Sequence, residues 1–496
     1  MSSPKALWRT ESFLAGFLQC VLFSVIAAHR LVDRDEGFYL MAAKLVAQGQ
    51  TLYHDFAFSQ MPLTAYLYGY WMAFTSVSWE SGRLLSGLLT GILGGLIYGQ
   101  VGRLTGKRSL AILAVLLFSS CSFTVGWMVL IKTYAVSNLL LFGAYCLLWK
   151  DSWKYHRLAS GFLFALSIDA RLLMAAVLPV FLYATRREKQ WMGWLLGCGL
   201  GLSLNLVLLL KNPQNFWFNN LGFHAMRTTG GLVGGFDQKL SVLSKMLAIQ
   251  GADGSMSIQL LVMGLCTVLL AACSPSREYR VAIFSILALA GVSVLPTPTF
   301  SQYFSTLIPF LVLCTVGLID RCQKSADVVS QALGRVMIGA GLVCVLVGGI
   351  DLAHYCGIST PWQTYGAELN QAWKISGVQE VSRSINRHSQ PGDVVYASWP
   401  GYLIETYTVP LPGTEMDYPR FLGLGLRMSA EQRTRYHILS KPETLQQIRE
   451  GKTTMVVNGI GRGEGDETMA MHQMLLNTGY QFAESVGQCG IYVRSR

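Results

Sequence analysis

Residues 13–36 read FLAGFLQCVLFSVIAAHRLVDRDE. As a helix rising about 1.5 Å per residue, the apolar part is long enough to cross the roughly 30 Å of bilayer hydrocarbon. It closes on three carboxylates and an arginine. The basic start MSSPKALWRT precedes it and no small-residue cleavage site follows, so an uncleaved anchor is expected rather than a removed signal. The whole chain has this balance: of 496 residues 52% are hydrophobic and 14% charged, against about 25% charged in soluble domains. Repeated apolar runs of this length predict a polytopic α-helical membrane protein, not a barrel.

The candidate spans are residues 12–32, 84–102, 109–130, 133–149, 158–169, 172–185, 191–210, 256–273, 281–296, 303–320 and 336–353, eleven in all. Positive charge tests this parse, because cytoplasmic loops collect Lys and Arg. Lys5 and Arg9, RLTGKR, KDSWKYHR, TRREKQ, SPSREYR and the segment with Arg321, Lys324 and Arg335 then share one side. Reading 158–185 as a single span would put KDSWKYHR and TRREKQ on opposite faces, so a short hairpin around SIDARL is the better parse. The N-terminus is thus expected in the cytoplasm and everything after Tyr355 outside. The segment PLTAYLYGYWMAF from Pro62 is rich in Tyr and Trp, and is expected as a helix lying at the outer interface.

The net charge of +11 reflects these loops and anionic headgroups; no nucleic-acid partner is expected. The eleven cysteines fall mostly in apolar runs and form no C-x-x-C pair. Cys356 and Cys489 are in the final polar region, as two thiols or, in an oxidising compartment, a disulfide. No His, Asp or Glu group has metal-ligand spacing, so neither metal nor cofactor is expected.

Residues 354–496 change character. The runs DVVYASW, TMVVNGI and CGIYVRS read as strands, and GVQEVSRSINRH, PETLQQIRE and ETMAMHQMLLNTG as helices. The division is therefore a transmembrane domain over 1–353, with outer loops 33–83 and 211–255, and an extracytoplasmic α/β domain over 354–496. GIGRGEG lacks the Lys-Ser/Thr of a phosphate loop and is expected as a plain connection.

This topology gathers the unusual polar residues at the outer boundary: Asp33, Asp35, Glu36, His54 and Asp55 in the first loop, Lys132 before 133–149, Asp169 and Arg171 at the hairpin tip, His224 and Arg227, and Gln302 with Tyr303. Ionisable groups near membrane depth cost about 2.5–3.5 kcal/mol each on insertion scales, which makes them functional candidates. One carboxylate of the first loop caps the following helix, where Phe38, Met41, Ala42 and Leu45 share a face with Lys44 and Gln48 elsewhere. That explains one acid well and three poorly. Asp169 reads equally as one end of a salt bridge holding the hairpin and Lys132 as a snorkelling cation; a lone His such as His224 is more often a packed ring, while the planar guanidinium of Arg171 and of Arg227 near the interface suits a lipid phosphate. A carboxylate facing outward among Arg, Lys and His suits transfer from a phosphate-bearing lipid: the acid takes a proton from an acceptor hydroxyl and the cations balance charge on the departing phosphate. A transporter or lipid flippase would also have many spans, but no internal repeat is visible. A receptor would leave the acidic loop unexplained.

The segment RDEGFYLMAAKLVAQGQTLYHDFAFSQMPL resembles the first outer loop of GT-C glycosyltransferases of the protein-mannosyltransferase and aminoarabinose-transferase type. GFLFALSIDARLLMAAVLPVFL resembles their short helix pair, and FNNLGFHAMR and PTPTFSQYFSTLIPF their later outer segments. The resemblance implies a GT-C-like transmembrane fold, and a polyprenyl-phosphate-linked sugar donor with a glycan, lipid or protein acceptor, in a bacterial inner membrane. It places Asp35 as catalytic base or acceptor-orienting acid, with Glu36 and Asp55 as further catalytic acids. Lys132, Arg171, His224, Arg227 and Tyr303 would contact the donor phosphate, supported by Tyr39, Asp169 and Gln302. Aminoarabinose transferases often carry Lys-Pro-Pro where this chain has Gln60-Met61-Pro62.

Overall fold

The computed structural model describes residues 4–150, 153–186, 191–227, 231–247, 255–357, 371–459 and 465–495. Most of TRREKQ and GIGRGEG, and part of KDSWKYHR, lie outside them. The chain divides into two compact units. The first holds Met1–Ala27, Leu84–Asn205 and Thr228–Trp362; the second holds Ala28–Arg83, Leu206–Arg227 and Gln363–Arg496. Residues of the first outer loop thus fall in the same unit as the C-terminal stretch.

The elements in order are α1 (Pro4–His29), α2 (Arg34–Ala47), α3 (Leu63–Phe74), α4 (Trp79–Thr105), α5 (Arg108–Ser120), α6 (Thr133–Leu148), α7 (His156–Ala170), α8 (Leu178–Thr185), α9 (Trp191–Lys211), α10 (Pro213–Trp217), α11 (Phe223–Met226), α12 (Gly231–Met246), α13 (Ser255–Ala272), α14 (Arg277–Val294), α15 (Ile308–Lys324) and α16 (Val328–Tyr355). Among the described residues, four helical segments are long and apolar enough to cross a membrane: Thr10–His29, Trp79–Thr105, Ser301–Lys324 and Val328–Tyr355. The bent pair Trp191–Ser203 and Asn205–Lys211 makes a fifth if it is one span. The chain is a membrane protein, although length and apolarity alone support only these of the eleven expected crossings. The segment Ser301–Lys324 is buried along nearly all its length, whereas Thr10–His29 is mostly exposed. In the first unit α1 and α4 meet backbone to backbone, and a Cβ on Gly91 would fall 2.3 Å from the Cys20 nitrogen. Small residues at such a crossing allow the close approach that drives helix packing in lipid.

The expected span 109–130 is broken. α5 stops at Ser120, Cys121 is extended, and a π turn follows over Thr124–Met128. One side chain takes over backbone bonds lost there: Ser122 N donates to Gln259 Oε1 at 2.8 Å, and Gln259 Nε2 donates to the Ser120 carbonyl at 3.1 Å. The chain over 158–185 is split into short pieces, with the break at Arg171, extended at φ −156 and ψ 110. A 3-10 turn over Leu172–Val177 leads into α8.

In the second unit the C-terminal stretch forms a five-stranded sheet in the order β2-β1-β3-β5-β4. The strands are β1 (Val394–Ala397), β2 (Val409–Pro410), β3 (Met455–Asn458), β4 (Tyr480–Val486) and β5 (Cys489–Arg494). β1 is parallel to β2 and β3, and β5 is antiparallel to β3 and β4. Tyr396, Val456, Ile448, Leu475 and Tyr480 are among its core residues. The three strands and three helices read from sequence are all present. β4 was missed because its middle residues are largely exposed and carry no apolar alternation. The cysteines form no disulfide among the described residues.

The helix after the acidic loop differs from its amphipathic reading. Every residue of α2 from Glu36 to Val46 is buried, Lys44 included. The Lys44 ammonium donates to the carbonyls of Leu403 at 2.6 Å and Thr406 at 2.9 Å, and burial pushes its pKa down to about 8. α2 is therefore a core helix of this unit, packed on α3 and on the turn Pro400–Leu403. A lysine that satisfies chain carbonyls needs no polar face.

Candidate active site

The start of α2 is built as a capping box. Asp33 Oδ1 accepts from Asp35 N at 2.9 Å, and Glu36 Oε2 accepts from Asp33 N at 2.9 Å. Acids there are also favoured by the helix dipole. The box gives Asp33 a structural role at the helix start. Glu36 is fully buried and forms a bidentate pair with Arg83, Nε to Oε1 at 2.5 Å and Nη2 to Oε2 at 2.6 Å. Arg83 donates in addition to the carbonyls of Arg30 at 3.1 Å and Leu31 at 3.3 Å, so one guanidinium ties α2 to the chain before it. With both oxygens so engaged, Glu36 is a strut for the turn; the sequence expectation of a second catalytic acid there does not fit this geometry.

Asp35 differs from its neighbours. It is half-buried, and Tyr418 Oη donates to its Oδ1. Arg34 pairs with Asp417 through Nη2 at 3.0 Å and Nε at 3.2 Å, and its carbonyl accepts from Trp399 Nε1 at 2.8 Å. Burial pushes the Asp417 carboxyl up, against the pull of Arg34 and Arg420. The Trp399 ring covers Gly37 so closely that a Cβ there would fall 2.5 Å from the indole. Gly37 is glycine for this contact. Tyr39 is buried, its ring centroid 4.2 Å from Phe38 and 6.0 Å from Phe58.

Further along the loop, Asp55 Oδ2 accepts from Thr51 N at 2.7 Å and Oδ1 faces His54 Nδ1 at 2.8 Å. Burial raises this carboxyl, but the bonds from Thr51 and His54 outweigh it and hold the group below the usual carboxylate range. The later outer segment braces the same loop: Phe58 N donates to Asn219 Oδ1 at 3.0 Å, and Asn215 Nδ2 donates to the Tyr53 carbonyl at 2.8 Å. His224 Nε2 lies 3.0 Å from the Ser59 carbonyl, to which it donates. That bond ties the ring to the first outer loop through Nε2. Arg227 ends the short helix α11, its backbone N–H donating to the His224 carbonyl at 3.3 Å.

In the first unit, residues from three separate segments come together. Lys132, buried at the start of α6, donates to Gln302 Oε1 at 2.9 Å. Arg171 is 7% exposed, donates to Thr133 Oγ1 at 3.1 Å, and lies over the rings of Tyr134 at 4.6 Å and Tyr303 at 5.0 Å. The expected Asp169–Arg171 bridge is not formed, since Arg171 turns to Thr133 and the two rings. Asp169 is fully buried near the end of α7. Sequence reading put Lys132, Arg171, Gln302 and Tyr303 at one boundary together with the first-loop acids, His224 and Arg227; the contacts join these four in the first unit. It missed Arg83, Asp417, Tyr418 and Trp399. An arginine at the head of an apolar run, and the acid and aromatic of EMDYPR, were the signals available.

The fold is shared with solved structures over nearly the whole chain. Over 98% of its length the chain is similar to ArnT from Cupriavidus metallidurans bound to undecaprenyl phosphate, with 97% of that chain covered, 12% identity and a TM-score of 0.67. The apo form of that protein gives 97% and 97% coverage, 13% identity and a TM-score of 0.64. The oligosaccharyltransferase of Archaeoglobus fulgidus, in complex with Zn and sulfate, matches over 96% of this chain and 73% of its own, with 13% identity and a TM-score of 0.50. No family model and no curated protein matches the sequence.

Proposed function

We propose that this protein transfers a sugar from a polyprenyl-phosphate carrier to a glycan, lipid or protein acceptor on the extracytoplasmic side of a bacterial inner membrane, with eleven crossings and inversion at the anomeric carbon. The observation that carries this reading is the whole-length fold likeness to ArnT, a protein crystallised with undecaprenyl phosphate.

Asp35 takes the proton from the acceptor hydroxyl, whose oxygen attacks the anomeric carbon as the bond to the lipid phosphate breaks. Glu36, locked by Arg83, and Asp33, spent on the cap, position it. Lys132 and Arg171 bind the carrier phosphate, whose negative charge grows as the sugar leaves. Gln302 orients the ammonium, and the rings of Tyr134 and Tyr303 hold the guanidinium flat. Asp55, paired with His54, shapes the loop on the acceptor side, and Arg227 stays a phosphate contact from its outer segment.

Binding of the carrier tests the phosphate assignment. Charge-assisted hydrogen bonds are worth about 1.5–3 kcal/mol, so Lys132→Gln and Arg171→Gln should each weaken binding of undecaprenyl phosphate about tenfold or more in native mass spectrometry or a detergent binding assay. Retention at the wild-type level in both variants would remove these cations from the donor site.

A further inference from the structure

The contact between Asp35 and Tyr418 joins residues 383 positions apart, and the C-terminal turn that carries it is anchored several times. Asp417, with a side chain only 2% exposed, holds Arg34, the residue immediately before the acid. The Tyr418 ring packs edge-on against Phe38, with centroids 5.3 Å apart, on the next turn of α2. Arg420 donates to the Ser398 carbonyl at 2.8 Å and lies over the Tyr396 ring at 4.9 Å, which ties the far end of the turn to β1. Trp399, just beyond β1, closes the arrangement by its bond to the Arg34 carbonyl. A phenol fixed at both flanks acts as a strut; a mobile cap would not be held by an ion pair, a ring contact and a guanidinium.

We propose that Tyr418 is a positioning residue for Asp35, its phenol fixing the carboxylate at the head of α2 so that the C-terminal segment takes part in the reaction. The inference rests on the transfer reading given above. The charged neighbours of Asp35 in the chain have partners of their own: Asp33 and Glu36 form the capping box, Glu36 pairs with Arg83, and Arg34 pairs with Asp417. The phenol is a donor to the acid itself. A hydrogen bond to the charged form of a carboxylate favours that form, so Tyr418 keeps Asp35 ionised and able to accept a proton as well as oriented.

The test is Tyr418→Phe, which retains the ring packed on Phe38, with Asp417→Asn as a second variant that loosens the turn and leaves the phenol in place. Two readouts are taken on purified full-length protein. The first is the infrared titration of Asp35, its carboxyl band identified as the one lost in Asp35→Asn. Loss of the phenol should raise the midpoint by about one pH unit or more, and Asp417→Asn should move it the same way by less. The second is steady-state transfer, where Tyr418→Phe should lower kcat roughly 10- to 100-fold with the KM for the donor within a factor of about two of wild type. An unmoved Asp35 midpoint in both variants would overturn the inference even if the wild type transfers sugar. Wild-type protein that turns over no donor would count against the transfer reading alone, with the infrared titration still deciding this one.

Discussion

Asp35→Asn is expected to lower transfer by roughly 10²–10⁴-fold, the range for loss of a general base, while carrier binding and thermal stability stay near wild type. The side chain is half-buried, and an amide fills the same volume. Its carbonyl oxygen can still accept from Tyr418 Oη, so the turn that the phenol braces is kept. What is lost is the negative charge that accepts a proton. The same change at Asp33 should cost far less activity, because an asparagine caps a helix about as well as an aspartate. A single-turnover assay with donor in excess separates the two. Equal losses in both variants would mean that the acids act together as a cap and that neither is the base.

Arg83→Met should be the most destabilising single change in this part of the chain. Glu36 is fully buried and Arg83 is 1% exposed, and the guanidinium also satisfies the carbonyls of Arg30 and Leu31. Removing one partner of a buried pair leaves an uncompensated charge and costs about 3–5 kcal/mol, whereas replacing both by well-fitting neutral groups is often neutral. Arg83→Met should therefore lower the thermal midpoint in detergent sharply, and Glu36→Gln combined with Arg83→Met should recover much of the loss. Activity normalised to folded protein should recover with it, since Glu36 works by holding the turn. A double variant as unstable as the single one would show that the stabilisation comes from the bonds of Arg83 to the chain carbonyls and not from the ion pair.

The parts of the structure that could be read in the sequence are those governed by local pattern. The helix start at Asp33 followed from acids before an apolar run, the break at Arg171 from the alternation of loop charge, and β1, β3 and β5 from β-branched runs. Long-range pairings could not be read this way. Glu36 meets Arg83 across 47 residues and Asp35 meets Tyr418 across 383, and neither partner bears a local mark of its destination. Arg83 at the head of α4 looks like any cation at a membrane helix end until its burial is known. Lys44 misled for a related reason: a lone cation on an apolar helix implies a wet face, yet here it is consumed by two carbonyls of the C-terminal segment. Topology put Lys132, Gln302, Arg171 and Tyr303 at one boundary among a larger set of polar residues, and only the contacts show that these four join.

The most direct measurement is product formation by the purified protein in lipid vesicles, supplied with polyprenyl-phosphate-linked pentoses and hexoses and a panel of cell-envelope glycolipids, glycans and peptides, with Asp35→Asn in parallel. Release of polyprenyl phosphate matched by a glycosylated acceptor of opposite anomeric configuration, and absent from Asp35→Asn, is the result expected. Uptake or flipping of the intact lipid-linked sugar with no bond broken, equal in wild type and Asp35→Asn, would contradict the account.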